Sequence, residues 1–160
     1  MKILSDVEIR QITDPITDAP KSPEVFRAFL QMCELCDESN GIGLAAIQVG
    51  LPWRMFIIRQ SDDSYECFLN CSYEPVGEEK IVSVEGCLSL RTADGAEFRS
   101  FEVMRFSSVR LIGKKLQPDL DLADVDEVLS GLPSIVCQHE IDHSRLVFIS
   151  DIGKEVHVYS

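Results

Sequence analysis

The run Gln138-His139-Glu140-Ile141-Asp142-His143 sets two histidines four positions apart, with a glutamate directly after the first. On an α-helix, positions i and i+4 share a face, so both imidazoles reach one metal ion while Glu140 stands beside it as a proton carrier. That arrangement serves metal-assisted hydrolysis. A catalytic metal of this type takes three protein ligands and keeps one position for water, so a third ligand must come from elsewhere in the chain. Alone, the pattern fixes only three positions in five, and a solvated helix face could carry the same residues.

Two upstream segments are candidates to complete a site. Glu85-Gly86-Cys87-Leu88-Ser89 follows an apolar β-like run, and a glycine beside a cysteine lets the backbone come close to another group. Gly41-Ile42-Gly43-Leu44-Ala45-Ala46-Ile47-Gln48 joins glycines, small residues and one amide side chain. Its structural reading is a turn leaving a helix and starting a strand. As a phosphate-binding loop it fails, lacking the lysine and a third glycine.

These segments need rigid elements to hold them. Ser22-Pro23-Glu24 reads as a helix start, and Val25, Phe26, Phe29, Leu30, Cys33 and Cys36 keep helical spacing up to an expected end near Asn40-Gly41. Runs 54–59, 65–70, 80–84, 97–106 and 109–111 read as strands, punctuated by Gly50, Pro52, Pro75, Gly77, Gly95 and Gly113. The acids Asp119, Asp121, Asp124, Asp126 and Glu127 lack the spacing and central glycine of a calcium loop, so a solvated loop or the start of a helix is expected there. A second helix is expected from Ser130, with Pro133 in its first turn, carrying Ile135, Val136 and both histidines inward. The expected class is α+β: small antiparallel or mixed sheets around a buried helix that bears the His-Glu-x-x-His motif.

Bulk properties narrow the setting. At 160 residues one domain spanning 1–160 is expected, with an ordinary core. A net charge of −12 argues against a nucleic-acid surface and favours a self-repelling monomer. No stretch approaches the roughly 20 apolar residues of a membrane span, and the start shows no secretion signal, so the expected location is the cytoplasm. The six cysteines then read as reduced thiols or ligands. Cys33-Glu34-Leu35-Cys36 could be a redox dithiol, or half a zinc site with Cys67 and Cys71. It closes a helix where a redox motif would open one, and packing is the preferred reading.

Taken together, the three segments resemble the peptide deformylases, in that family's order, with Asp142 as the extra residue that separates this pattern from ordinary zinc proteases. The similarity extends weakly over Ile9 to Thr17 and through the strands. It implies that Cys87, His139 and His143 bind one divalent metal, Fe(II) in the family's native form, with Zn or Ni also compatible with the soft ligand set. It implies hydrolysis of the formyl group from N-formylmethionyl nascent peptides. Glu140 would carry the proton, and the Gln48 amide and Leu88 backbone N–H would stabilise the oxyanion. Ile42, Gly43 and Gly86 would align the substrate backbone, and Ile42, Leu132, Ile135 and Val136 would wall the methionine pocket. The resemblance also aligns an arginine at Arg99, so Asp142 is expected to pair with it.

Several positions depart from the family pattern. Arg91 stands where a proline often follows the cysteine motif, Asp94 stands near the place of a pocket-mouth Arg or Tyr, and Ser144-Arg145-Leu146 replaces a Leu-x-Gly step. Against the family's basic C-terminal helix tied to ribosome docking, a compact form without it is expected here, with a strand-like Val156-His157-Val158-Tyr159 in its place and Leu146 to Ile149 expected to help close the domain. This resembles compact forms carried by phages, for which the host cytoplasm would be the location. Weak ribosome association is expected, and the short end is expected to suffice for small peptides. Two rivals share these residues: a metallopeptidase, and a non-catalytic module binding metal or nascent chains.

Overall fold

The computed structural model describes residues 1–157 and has the α+β class expected. Helix α1 (Asp6–Arg10) was not legible from apolar spacing. A capping box makes it: Ser5 accepts from the Glu8 N–H while the Glu8 carboxylate accepts from the Ser5 N–H. Strand β1 (Thr17–Asp18) follows, then helix α2 (Pro23–Glu38) with Pro23 in its first turn. Its buried stripe is Val25, Ala28, Met32 and Cys36; Leu30 is exposed, and Phe26, Phe29 and Cys33 are half-buried. The stripe is therefore turned from the one expected, because Ala28 and Met32 supply the close contacts. The helix stops at Glu38, and Asn40 takes a left-handed φ of 53°.

From there the chain forms β2 (Gly43–Ala45), a 3₁₀ turn (Ala46–Val49), β3 (Trp53–Arg59) and β4 (Tyr65–Pro75). Met55, Phe56, Ile57 and Ile58 are all buried, the mark of a strand covered on both faces. Met55 and Ile57 join a core under α2, and Phe56 and Ile58 join a second core under the helix of the histidines. Strand β5 (Lys80–Arg91) pairs antiparallel with β6 (Phe98–Phe106), and β7 (Ser108–Leu116) pairs with β8 (Leu122–Ser130). The expected acidic loop is thus largely a strand. Its acids face basic partners across the ladder, with Asp126 on Arg110 and Asp124 on Lys114, and this makes a strand compatible with so much charge.

Helix α3 (Leu132–His143) starts two residues later than expected, at a Gly131 with φ 67°, and Pro133 lies in its first turn. Helix α4 (Ile149–Ile152) and strand β9 (Lys154–Val156) end the described chain; Val158 and Tyr159 lie outside the described residues. Phe148 and Ile149 are buried as expected, whereas Leu146 is exposed. The strands form a six-stranded sheet in the order β1-β3-β4-β7-β8, with β2 also on β3, and a three-stranded sheet β5-β6-β9. Among the described residues only the β1–β3 pairing is parallel. Helix α3 contacts strands of both sheets.

Within the larger sheet, β4 and β7 come together at a bulge between Leu69 and Ser72. A Cβ on Gly113 would lie 2.4 Å from Cys71 Sγ and 2.7 Å from its Cα. The backbone there cannot yield without breaking the ladder. Gly113→Ala is therefore expected to cost about 1–3 kcal/mol in urea unfolding; an unchanged midpoint would contradict this close approach.

Candidate metal centre

Periodicity 2 along β5 turns Glu85, Cys87 and Ser89 inward, and all three are buried. Helix α3 brings His139 and His143 against them, with ring centroids 4.8 Å apart and planes at 88°. One ligand atom each from Cys87, His139 and His143 lie within 4.8 Å of one another, and Cys87 Sγ is 3.6 Å from His143 Nε2. Separations of this order suit one thiolate and two imidazoles around a tetrahedral ion with bonds of about 2.0–2.3 Å.

Glu140 closes one side. A Cβ on Gly43 would meet its Oε1 at 2.8 Å, so only glycine leaves room for the carboxylate against β2. Glu140 is 5% exposed and its Oε2 has no hydrogen-bond partner. Burial pushes its pKa up to about 7, with His139 partly countering and Glu85 reinforcing the rise. Opposite it, Gln48 is fixed at both ends: Oε1 accepts from the Ala45 N–H at 2.9 Å, and Nε2 donates to Ser89 Oγ at 3.0 Å. The Ala45 N–H requires an acceptor, so the amide nitrogen must face the site, 3.6 Å from Cys87 Sγ.

The environment calls for a cation. Burial would lower the His139 pKa, but hydrogen bonds to Cys87 and Glu85, with the nearby Glu140, hold it up at about 10. His143 goes the other way, kept well below the ordinary value first by burial and then by His139 and Arg105, so it presents a neutral imidazole. A positive ion bound by sulfur and two ring nitrogens would balance the acids and use His143 in its favoured state.

Behind the ligands lies a buried network. His139 Nδ1 is 2.8 Å from Glu85 Oε1, and Arg105 donates to both Glu85 oxygens at 2.9 and 2.8 Å and to Asp142 Oδ2 at 3.0 Å. Tyr73 donates to the other Asp142 oxygen at 2.8 Å. The expected Asp142–Arg99 pair is not formed. Arg99 instead binds Glu155 of β9 near the surface, because in the β5–β6 register Arg105 continues the inward face of Phe101 and Val103 to a point under Asp142. That alternation, Phe101-x-Val103-x-Arg105, was the available signal. The bonds from Arg105 and His139 outweigh burial and hold the Glu85 pKa down at about 2.

A cavity of about 290 Å³ opens over this centre. It is lined by Ile42, Gly43, Gln48, Gly86, Cys87, Leu88, Leu132, Ile135, Val136, His139 and Glu140, every expected site residue except His143, which is fully buried beneath. Phe98 and Val84 line the cavity and lay outside the three segments, whereas Ser89, which ends the cysteine segment, holds the Gln48 amide. The remaining cysteines stay outside this centre: burial raises the thiol pKa of Cys33, Cys71 and Cys137 to about 12, 11 and 12, the behaviour of inert core thiols.

Removing Arg105 would strand two buried carboxylates. Arg105→Ala is expected to cost about 3–5 kcal/mol, whereas Arg99→Ala, breaking a partly exposed pair, should cost no more than about 1 kcal/mol. Because the Glu85 pKa is lowered on folding, its contribution is full above the ordinary value of 4.5 and is lost as pH falls towards about 2. Denaturant unfolding of both variants at neutral and acid pH checks the contrast; equal losses would refute it.

Comparison with known proteins agrees with this geometry. Residues 2–156 match the family model for polypeptide deformylase. The peptide deformylase of Rhodopseudomonas palustris (strain BisB18) is 35% identical over 159 residues, covering 95% of this chain and 84% of that protein. Peptide deformylase 2 of Bacillus subtilis is 30% identical over 158 residues, covering 94% and 78%. Among solved structures, a probable peptide deformylase from synechococcus phage S-SSM7 superposes with a TM-score of 0.78 at 29% identity, over 95% of this chain and 99% of that one.

Proposed function

This chain belongs to the peptide deformylase family, metal-dependent hydrolases that remove the N-formyl group from nascent peptides, and we propose that Cys87, His139 and His143 hold its metal while Glu140 moves the proton. The observation that carries this assignment is the gathering of the three ligand atoms within 4.8 Å at the floor of a cavity, beside a buried carboxylate with an unpartnered oxygen. When bound, the metal supplies Lewis acidity, polarising the formyl oxygen and acidifying water. Fe(II) is the proposed native ion, with Zn and Ni compatible with the same ligands.

Glu140 takes a proton from the attacking water as the new C–O bond forms, then delivers it to the nitrogen as the C–N bond breaks. Formate and a free amine result. Its raised pKa suits a group that must both accept and give a proton near neutrality. As the formyl carbon becomes tetrahedral, charge grows on its oxygen, and the Gln48 amide and Leu88 backbone N–H are the proposed donors to it, each worth about 10²–10³ in rate. The bond from Ala45 orients that amide in advance.

Among the described residues strands β2 and β5 each pair on one side only, with β3 and β6 respectively, and both line the cavity. The substrate backbone is proposed to add between them along Ile42, Gly43 and Gly86, with its methionine side chain among Ile42, Leu132, Ile135 and Val136. The acidic chain is proposed to act as a cytoplasmic monomer that associates weakly with the ribosome at physiological salt, since a net charge of −12 opposes RNA contact.

Formate release from a formyl-Met peptide, with anaerobically purified protein and an unformylated peptide as control, tests the activity. Elemental analysis should find one metal per chain, lost in Cys87→Ala and kept when the other cysteines are replaced; undiminished metal in Cys87→Ala would remove the ligand assignment. Glu140→Gln should keep metal and fold while turnover falls about 10²–10⁴-fold. Near-normal formate release by that variant would exclude Glu140 as the proton carrier.

A further inference from the structure

Resting on the deformylase reading, we propose that Arg91 is a specificity determinant that favours formylated peptides bearing a carboxylate side chain in the residues following the methionine. Strand β5 passes the metal ligand Cys87 and continues to Arg91, which pairs with Phe98 across a tight turn. That turn is held by the Thr92 N–H on Glu97 O at 2.9 Å and the Gly95 N–H on Thr92 O at 2.8 Å. Phe98 lines the cavity and is 40% exposed, so it stands at the rim. The Arg91 guanidinium lies 4.1 Å from the Phe98 ring centroid, and its Nη1 donates to Gly95 O at 3.3 Å. Stacking and one backbone bond thus fix the cation at the mouth with most of its N–H donors unused.

Charge makes this placement informative. Most basic side chains of this acidic protein are engaged, as Arg10, Arg54, Arg59, Arg99 and Arg110 are by carboxylates. Arg91 makes no ion pair among the described residues. Asp94, close by in sequence, is turned into its own loop, accepting from Thr92 Oγ1 at 2.5 Å and Ala96 N at 3.0 Å. The rest of the rim offers exposed apolar Ile42, Val84 and Leu132 and the uncharged polar Ser39, Asn40 and Ser83, none of which carries a charge to pair with a carboxylate. A peptide whose formyl end lies at Cys87, His139 and His143 must leave across this rim, where a guanidinium fork matches a carboxylate. The contact is remote from the reacting atoms and strengthens ground-state and transition-state binding alike, so its effect falls on KM and not on kcat.

The test measures kcat/KM on formyl-Met-Ala-Ala-Ala and on peptides with Glu, Gln or Lys at the second, third or fourth position, at low and high salt. Glu should exceed Gln about two- to five-fold at one position or more, as expected for an exposed ion pair. The preference should reside in KM and fade with salt. It should vanish in Arg91→Gln and turn towards Lys in Arg91→Glu, while Arg27→Gln, which removes an unpaired cation on α2, leaves it intact. Activity without a Glu preference, or a preference that survives in Arg91→Gln, overturns the inference and leaves the deformylase reading standing. No formate from any peptide would overturn that reading and this inference with it.

Discussion

The Arg105 guanidinium is the contact on which the rest of the site depends. It comes from β6, grips Glu85 of β5 with two hydrogen bonds and reaches Asp142 of α3 with a third. Three elements meeting at one buried cation cannot slide independently. Glu85 in turn holds His139 Nδ1, which leaves Nε2 as the free ring nitrogen and fixes the plane of the ring. Such a cluster need not add net stability, since desolvating three charges offsets much of their attraction. Its contribution is geometric: the small sheet and the helix of the histidines share one register.

That register also explains the glycines around the cavity. Among the described residues two sheets present unpaired edges, β2 from one and β5 from the other, and the Glu140 carboxylate lies against β2 in the cavity that Cys87 and His139 also line. Any side chain at position 43 would collide with Glu140. The amide of Gln48 reaches the same space from the following 3₁₀ turn because Ala45 anchors its oxygen. Gly43 is therefore a consequence of crowding the Glu140 carboxylate against backbone, and Gly41 of its close approach to Cys36 and Leu88.

Much of this was legible in the sequence because it is local. Helical spacing put His139 and His143 on one face and Gly86 beside Cys87 marked a close approach, whereas the parts of Cys87 and Gln48 came from the resemblance of the three segments to the deformylases. What escaped was decided at long range. Whether Asp142 meets Arg99 or Arg105 depends on the β5–β6 register and on how α3 docks, and neither is encoded within one segment. The acidic run of residues 119–127 gave no apolar alternation because its charges are satisfied across the ladder by Arg110 and Lys114. Helix α1 has only Ile9 buried, so its signal lay in the Ser5 and Glu8 cap.

Helix α3 buries more polar side chains than packing alone would call for. Nine of its residues from Ser134 onward are buried, and six of these are polar. Gln138 is satisfied by both backbone groups of Phe106, Ser134 by the same carbonyl, Asp142 by Arg105 and Tyr73, and His139 by Glu85. Buried groups left unmatched in a low dielectric cost stability, so an exception on an otherwise fully matched helix points to a missing partner. On α3 the clear exception is Glu140 Oε2, since the Val147 backbone approaches the His143 ring. Glu140 also lines the cavity, with its Oε1 against the Gly43 backbone. A buried carboxylate beside that space suits the hydrolysis that the family carries out.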